Sequence, residues 1–193
     1  GLRKWMKYND RQNEELITLA TTDELTGLYV RRFFLDKTQD EFNRSQRNQV
    51  NFSILMIDID HFKSINDKFS HAAGDRVLQV FAREIKGSIR KTDVIARWGG
   101  EEFVVLLVHD DVDNIKEISS RISEKIRSKT EGIKVVFNEE VINFTVSIGA
   151  TISAKEDPSI DVIIDRADKL LYQAKIKGRN CVALDLFKSV NTS

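Results

Sequence analysis

An apolar segment that ends in two carboxylates places the strongest constraint on the fold. Residues 51–57 are mostly apolar, and Asp58 and Asp60 follow with Ile59 between them. A run of this length predicts a strand buried inside a sheet. Because unpaired buried charge is costly, the two acids indicate that the strand ends in a cleft. They are either ligands for Mg²⁺, which takes one or two carboxylates together with phosphate oxygens, or solvated residues of the following loop.

A second cluster of acids lies at a predicted hairpin. Apolar strands flank Gly99-Gly100, and Glu101 and Glu102 follow the two glycines. Glycine permits positive φ and lets a phosphate approach the backbone. Taken alone, the pattern favours a tight turn with two solvated charges. Together with Asp58, the hairpin can supply another carboxylate to the same metal, as in palm-like nucleotidyl-transfer sites.

The order of the predicted elements indicates the fold class. Helices are predicted over residues 1–20, 30–46, 62–69, 74–89, 111–129 and 159–177, and strands over 51–58, 93–98, 102–108, 133–138, 141–152 and 181–184. The pairs 93–98 with 102–108 and 133–138 with 141–152 are predicted as hairpins. This order predicts an α+β fold, related to the βαββαβ plan, in which helices flank a mixed, largely antiparallel sheet.

Composition excludes several classes of protein. Thirty basic residues balance thirty acidic ones, which argues against a general nucleic-acid binder. The longest apolar run, 103–108, is far shorter than the roughly 18 residues that suggest a membrane span. A single cysteine, Cys181, gives no internal disulfide and no zinc cluster, and this favours a cytoplasmic location. Because the chain starts at Gly1 without a secretory signal, we expect a fragment of a larger protein, whose full-length parent could be membrane-tethered.

The first 20 residues predict a polar helix separate from the main domain. Its seam has heptad-like spacing and consists of Leu2, Trp5, Asn9, Gln12, Leu16 and Leu19. One interpretation is a coiled-coil stalk that pairs two copies and carries a signal from an upstream domain. The other is a single helix that lies on its own domain. Residues 22–28, with Gly27 as the turn residue, end this helix.

The segment Gly99-Gly100-Glu101-Glu102-Phe103 resembles the motif of GGDEF-domain diguanylate cyclases, in a GGEEF variant. Four further segments agree with that family in order and spacing: 23–28, 58–67, 71–75 and 172–180. The resemblance covers about residues 21–185, which leaves 186–193 as a C-terminal tail. It implies a palm-like, nucleotide-cyclase-like fold and the condensation of two GTP into cyclic di-GMP with release of two pyrophosphates.

The resemblance also implies a metal site. Asp58 and Glu101 correspond to the side-chain ligands of Mg²⁺, for which Mn²⁺ can substitute, and Ile59 corresponds to a main-chain carbonyl ligand. Asp60 is not expected to be a principal ligand. Glu102 corresponds to a general base, or to a second carboxylate near the attacking ribose hydroxyl.

Asn66 and Asp75 correspond to the residues that recognise guanine. A carboxylate suits the adjacent N1–H and amino donors of guanine, which favours GTP over ATP. Judged locally, Asp75 is also a candidate N-cap, since it follows Gly74 at a predicted helix start. Ser70 departs from the family, which usually has glycine before His71, and this affects the loop between Asn66 and Asp75.

Further residues correspond to contacts with the triphosphate. Phe62 and Lys63 match the segment that holds the terminal phosphates, partly through backbone N–H groups at a helix start. Gly99 and Gly100 of the hairpin are also expected to contact GTP. Lys175 and Arg179 match two basic residues that clamp the triphosphate. At the end of a helix, however, basic residues also offset the macrodipole.

Outside the substrate site, Arg90 and Asp93 match the RxxD pattern of the family's product-inhibition site, and Arg121 matches a basic contact from a second copy. The resemblance therefore implies a homodimer that is inhibited by its product. Two rival functions remain open. One is an inactive GGDEF module that binds cyclic di-GMP or a partner, and the other is a different palm-type nucleotidyl transferase. The intact acids argue against the first, and the guanine and RxxD matches argue against the second.

Overall fold

A computed structural model describes residues 18, 20–48, 50–109 and 114–185 of the chain. Most of the predicted stalk, including Leu2, Trp5, Leu16 and Leu19, lies outside these residues, as does the tail 186–193. A six-stranded sheet forms the centre of the fold. From one edge to the other it contains β1 (Tyr29–Val30), β3 (Val94–Gly99), β4 (Glu102–Val108), β2 (Phe52–Ile59), β7 (Val146–Ile152) and β8 (Val182–Leu184).

The sheet is mixed, as predicted. Strands β3, β4, β2 and β7 pair antiparallel, whereas the edge pairs β1–β3 and β7–β8 are parallel. All eight residues of the central strand β2 are buried. The α+β fold with a largely antiparallel sheet is thereby confirmed.

Helices cover both faces of the sheet, which explains why β2 is apolar except at Ser53 and Asp58. Ile54 and Met56 belong to one core, which includes residues of α1 (Arg31–Asn48) and α5 (Ile160–Ile176). Leu55 and Ile57 belong to the other core, which includes residues of α3 (His71–Lys86) and α4 (Ile115–Glu131). Alternate side chains of a strand point to opposite faces, so a strand covered on both sides is apolar at each position. In the described part of the chain, no helix is long and apolar enough to span a membrane.

Helix α5 lies directly against β7 at Gly149. A Cβ atom at this position would overlap the backbone nitrogen of Leu171 and the carbonyl oxygen of Ala167. The absence of a side chain therefore allows the helix backbone to approach the strand. This close packing fixes the position of Lys175, which lies one turn beyond Leu171.

Several predicted boundaries differ from the observed ones; for example, the helix predicted over 111–129 is Ile115–Glu131. The helix predicted from residue 74 is α3, which begins at His71. The Ser70 side chain caps it by accepting a hydrogen bond from the Ala73 N–H at 3.2 Å. Helix α2 (Phe62–Phe69) precedes α3. The hairpin predicted over 133–152 forms between β5 (Lys134–Phe137) and β6 (Glu140–Asn143) as a separate two-stranded sheet, but its predicted second strand is divided, and Val146–Ile152 is β7 of the main sheet. Phe144 is buried in the core that contains Leu55 and interrupts the strand before β7 joins the main sheet.

Candidate active site

The predicted acids converge at one end of the two central strands. In the antiparallel pairing of β2 with β4, Asp58 lies opposite Glu102. The Ile59 N–H donates a hydrogen bond to the Glu101 carbonyl oxygen at 3.3 Å. Pairing of the two strands therefore brings the end of the buried strand beside the tip of the hairpin, as the motif spacing predicted.

The hairpin turn is displaced by one residue from its predicted position. Strand β3 continues through Gly99, and its register with β4 shifts between Arg97 and Gly99. The turn consists of Gly100, at φ 50°, and Glu101. Arg97 fixes the turn, because its Nε donates to the Gly100 carbonyl oxygen at 2.9 Å and its Nη1 lies 3.2 Å from Asp23. The hairpin tip is thus tied to the segment that precedes β1.

Asp58 is a buried carboxylate with one cationic partner. Its Oδ2 lies 2.8 Å from the Nζ of Lys175. Burial raises the pKa of Asp58 above its ordinary value, and the negative charges of Glu101 and Asp60 add to this effect, although Lys175 opposes it. Because burial and the neighbouring acids outweigh the Lys175 ammonium, the fold disfavours the ionised carboxylate of Asp58.

Glu102 is in a similar environment. Burial raises its pKa, and repulsion from Asp58, Asp168 and Glu101 raises it further, while Lys175 acts in the opposite direction. A carboxylate with a raised pKa accepts a proton more readily than an ordinary glutamate. The same crowding of negative charge favours the binding of a cation beside it.

Asp60 has a different role from Asp58. Its Oδ1 accepts from the Ser147 hydroxyl at 2.7 Å, and its Oδ2 accepts from the Thr145 hydroxyl at 2.7 Å and from the Asn180 N–H at 3.0 Å. Both carboxylate oxygens are therefore engaged within the protein. This is the pattern of a structural anchor and agrees with the expectation that Asp60 is not a principal ligand.

The donor atoms at this end of β2 suit a hard cation. Asp58 and Glu101 offer carboxylate oxygens, and Ile59 offers a main-chain carbonyl. Within residues 18, 20–48, 50–109 and 114–185, no group of three or more His, Cys, Asp or Glu side chains could hold a metal ion unaided. Two carboxylates that leave further positions to water and phosphate oxygens are the usual Mg²⁺ set. The residues thus fit the metal implied by the resemblance.

The crossing of α2 and α3 presents an amide without a partner. Asn66 Oδ1 is buried and has no hydrogen-bond partner among the described residues. A Cβ at Gly74 would overlap this oxygen, and it would lie 3.0 Å from Asn66 Cγ and 3.1 Å from Phe62 Cζ. Asp75 follows Gly74 and is exposed. Since Ser70 caps the helix, the alternative interpretation of Asp75 as an N-cap is wrong.

The predicted phosphate contacts lie on α2, on the hairpin, on α5 and in the loop after α5. Phe62 and Lys63 form the first turn of α2, whose N-cap His61, at φ 56°, makes no side-chain capping hydrogen bond. The first N–H groups of the helix are therefore not capped by that side chain and can donate to an anion. Gly99 is exposed beside Gly100, and Arg179 is exposed in the loop after α5. Lys175 alone of the predicted basic pair contacts the acids.

The proposed inhibitory site is a separate surface. Arg90 and Asp93 line a cavity of about 280 Å³ together with Tyr29 and Lys86, whereas Arg121 is exposed on α4 and is not among its lining residues. Asp93 accepts hydrogen bonds from the Arg90 N–H at 2.8 Å and the Val108 N–H at 3.2 Å. Burial nevertheless raises the pKa of Asp93. Its carboxylate therefore fixes the loop as well as facing the cavity.

Sequence reasoning missed two sets of residues. Asp161, Asp165 and Asp168 lie on one face of α5 and line a cavity of about 280 Å³ with Glu102; their helical spacing could have revealed them. The contacts of Asn180 with α4 were also missed. No local pattern signals these contacts, because the partners are about 50 residues apart.

Comparisons with known proteins agree with this geometry. A family model described as "Diguanylate cyclase, GGDEF domain" matches residues 20–181. Diguanylate cyclase A of Treponema denticola is 39% identical over 175 residues, which cover 89% of this chain and 46% of that protein. The chain therefore spans about half the length of that relative.

Solved structures show the same fold. The GGDEF domain of DgcB from Caulobacter crescentus, in complex with c-di-GMP, has a TM-score of 0.80 at 30% identity, covering 86% of this chain and 93% of that chain. The diguanylate cyclase SiaD of Pseudomonas aeruginosa, in complex with its activator SiaC, has a TM-score of 0.81 at 31% identity, covering 95% of this chain and 70% of that chain. With its acids at the end of β2 and its family match over most of the sequence, the chain belongs to the GGDEF-domain family of diguanylate cyclases.

Proposed function

We propose that the chain is a catalytic domain that condenses two GTP molecules into cyclic di-GMP and releases two pyrophosphates. The observation that carries this proposal is the meeting of Asp58, Glu101 and Glu102 at the end of β2. The unpartnered Asn66 amide at the crossing of α2 and α3 adds an acceptor suited to a base. The cyclic di-GMP complex of the DgcB domain supports the same nucleotide chemistry.

Asp58, Glu101 and the Ile59 carbonyl would hold Mg²⁺, or Mn²⁺ in its place. When bound, the cation neutralises charge on the phosphates and orients the α-phosphate for in-line attack. Glu102 is the residue that accepts a proton from the attacking ribose hydroxyl. Its raised pKa suits this step, since a general base works best when its pKa lies nearer the working pH.

The remaining residues bind and orient GTP. Asn66 Oδ1 accepts a hydrogen bond from guanine, and Asp75 accepts from the adjacent donors of the base. Lys63 and the first turn of α2 hold the terminal phosphates, and Lys175 and Arg179 add positive charge. Phe62 lies against Gly74 and the Asn66 amide and closes one side of the base pocket.

Each chain supplies one guanine pocket, whereas the product contains two guanosines. We therefore propose that two copies face each other across a two-fold axis and that each ribose hydroxyl attacks the nucleotide held by the other copy. The stalk formed by residues 1–20 raises the effective concentration of the two domains, and an upstream sensor controls their approach. Cyclic di-GMP bound at Arg90 and Asp93 inhibits the enzyme.

Chromatography of nucleotides after incubation with GTP and Mg²⁺ tests this function. We expect cyclic di-GMP and pyrophosphate, with a rate per molecule that rises with protein concentration. Asp58→Ala and Glu101→Ala should each remove detectable turnover, because each deletes a carboxylate ligand. The exposed Glu156→Ala variant is the matched control and should behave as the wild type.

Two outcomes would contradict the proposal. Full activity in both acid variants at saturating Mg²⁺ would refute the metal assignment. Binding of cyclic di-GMP without any turnover would instead favour the second candidate, an inactive binding module, which the cavity beside Arg90 and Asp93 also permits. A different cyclic or linear product from GTP would point to another nucleotidyl transferase.

A further inference from the structure

The loop after α5 has an unusual backbone conformation. Gly178, Arg179 and Asn180 have φ values of 114°, 65° and 45°, three consecutive residues in the left-handed region. Glycine adopts this region freely and asparagine tolerates it, but arginine has no such preference. A strained conformation at a residue such as Arg179 persists only where surrounding contacts impose it.

Asn180 receives those contacts from two other parts of the fold. Its N–H donates to Asp60 Oδ2 at 3.0 Å, which ties the loop to the end of β2. Its side-chain Oδ1 accepts from Arg127 Nη1 at 2.8 Å, and its Nδ2 donates to Glu131 Oε1 at 3.0 Å, which ties it to α4. Asn180 therefore uses its main chain and both polar atoms of its side chain to hold one position.

Asp60 is itself held firmly. It is buried, and the hydroxyls of Thr145 and Ser147 donate to its two oxygens at 2.7 Å each. These hydroxyls belong to β7 and the residue preceding it, so Asp60 joins two neighbouring strands of the sheet to the loop. A charged acceptor makes stronger hydrogen bonds than a neutral one, especially where water is excluded.

Hydrogen bonds fix the main chain at Arg179 and at the residue that follows it. Its N–H donates to the Ala174 carbonyl oxygen at 3.1 Å, and the next residue is Asn180. Its side chain is exposed and makes no hydrogen bond or ion pair among the described residues. The backbone of Arg179 is thus fixed on both sides while its guanidinium is left for a ligand.

We infer that Asp60 and Asn180 are positioning residues that set the direction of the Arg179 guanidinium toward the GTP phosphates. This inference rests on the proposed function, since it takes Arg179 as a phosphate contact. Neither positioning residue touches the substrate. Asp60 acts through the Asn180 N–H, and Asn180 transmits the constraint to Arg179 through the chain.

A double-mutant cycle on nucleotide affinity tests the inference. The probe is 3′-deoxy-GTP with Mg²⁺, which lacks the attacking hydroxyl and so binds without turnover, and titration calorimetry gives its dissociation constant. Asp60→Asn and Arg179→Ala should each weaken binding roughly tenfold. Because the first acts through the second, the double variant should bind no more weakly than Arg179→Ala alone. Multiplied effects in the double variant would overturn the inference, because Asp60 would then act by another route.

A second variant and a second measurement guard against an effect on folding or on the neighbouring metal ligands. Arg127→Gln lies on α4, away from Asp58, and should also weaken binding in a way that disappears in the Arg179→Ala background. Hydrogen exchange at the Asn180 amide should accelerate at least tenfold in Asp60→Asn, since this N–H loses its charged acceptor. Unchanged exchange would refute the proposed contact.

Asp157→Asn is the matched control. Asp157 is a buried aspartate that pairs with Arg166 at 2.8 Å, so its loss tests whether any disturbed carboxylate lowers affinity. This variant should lose stability and keep the wild-type affinity; an equal loss of affinity would overturn the inference. Wild-type protein that binds the probe but makes no product from GTP would contradict the proposed function alone. Wild-type protein that does not bind the probe would contradict both the proposed function and this inference.

Discussion

A methyl group at Gly74 should separate nucleotide binding from folding. Gly74 lies inside α3, where the Asn66 amide and the Phe62 ring pack against its Cα. In Gly74→Ala, the new Cβ would overlap Asn66 Oδ1 and would lie 3.0 Å from Asn66 Cγ. The amide must therefore leave its position. The Phe62 ring, at 3.1 Å, must also move by a few tenths of an ångström.

Gly74→Ala should change the free energy of unfolding less than it changes nucleotide affinity. Inserting a methylene-sized group into a packed site costs about 1–3 kcal/mol. Alanine regains about 1 kcal/mol over glycine in a helix interior, and displacing an amide oxygen that lacks a partner removes part of its desolvation penalty. We therefore expect the free energy of unfolding to change by less than about 1 kcal/mol. The proposed nucleotide site should lose an acceptor and part of the base pocket, which lowers the affinity by about 1.5 kcal/mol, or tenfold.

Urea denaturation and calorimetry with 3′-deoxy-GTP measure the two quantities on the same sample. Gly87→Ala is the control, because its Cβ would have the Glu84 carbonyl oxygen as nearest neighbour at 3.6 Å, an ordinary contact. It should bind nucleotide as the wild type does. If Gly74→Ala also binds with wild-type affinity, the Asn66 amide takes no part in recognising the base.

Two further predictions concern charge. Arg90→Ala should weaken cyclic di-GMP binding about tenfold or more and relieve product inhibition, without lowering the initial rate; an unchanged inhibition constant in a product-titration assay would refute the inhibitory site. Asp58→Asn should increase the free energy of unfolding at neutral pH, because burial raises the pKa of Asp58 above 3.8 and ionisation therefore destabilises the folded state. The stabilising effect of Asp58→Asn should shrink as the pH falls through the pKa of Asp58 in the folded state, and it should vanish below about 3.8, where both side chains are neutral. Denaturation curves at several pH values measure this dependence, and the opposite trend would show that the ion pair with Lys175 dominates.

The central part of the fold could be predicted because its cause is local. A strand buried on both faces is mostly apolar, and β2 has this composition except at Ser53 and its terminal acids. The hairpin was predicted from Gly99-Gly100, but the register shift near Arg97 moved the turn by one residue. The two-residue strand β1 is too short to show a periodicity, and its parallel pairing with β3 places it in the sheet.

The rest depended on contacts between distant residues. Gly74 suggested a helix start, whereas the Ser70 hydroxyl determined it. Asp58 and Asp60 look alike in the sequence. Their different surroundings arise because one meets Lys175, 117 residues later, and the other meets the Asn180 N–H, 120 residues later. Motif order indicated which residues gather at the site, and only the packed structure shows how each is held.

The ion pair between Lys175 and Asp58 also bears on the order in which ligands bind. Under the proposed assignment, the divalent cation binds the carboxylate of Asp58 that already pairs with the Lys175 ammonium. A cation that arrives alone then puts a second positive charge beside the ammonium and weakens its ion pair. A cation that arrives with a triphosphate brings the ammonium a new partner, so the exchange conserves ion pairing. The resting domain should therefore hold free Mg²⁺ weakly and bind it together with the nucleotide.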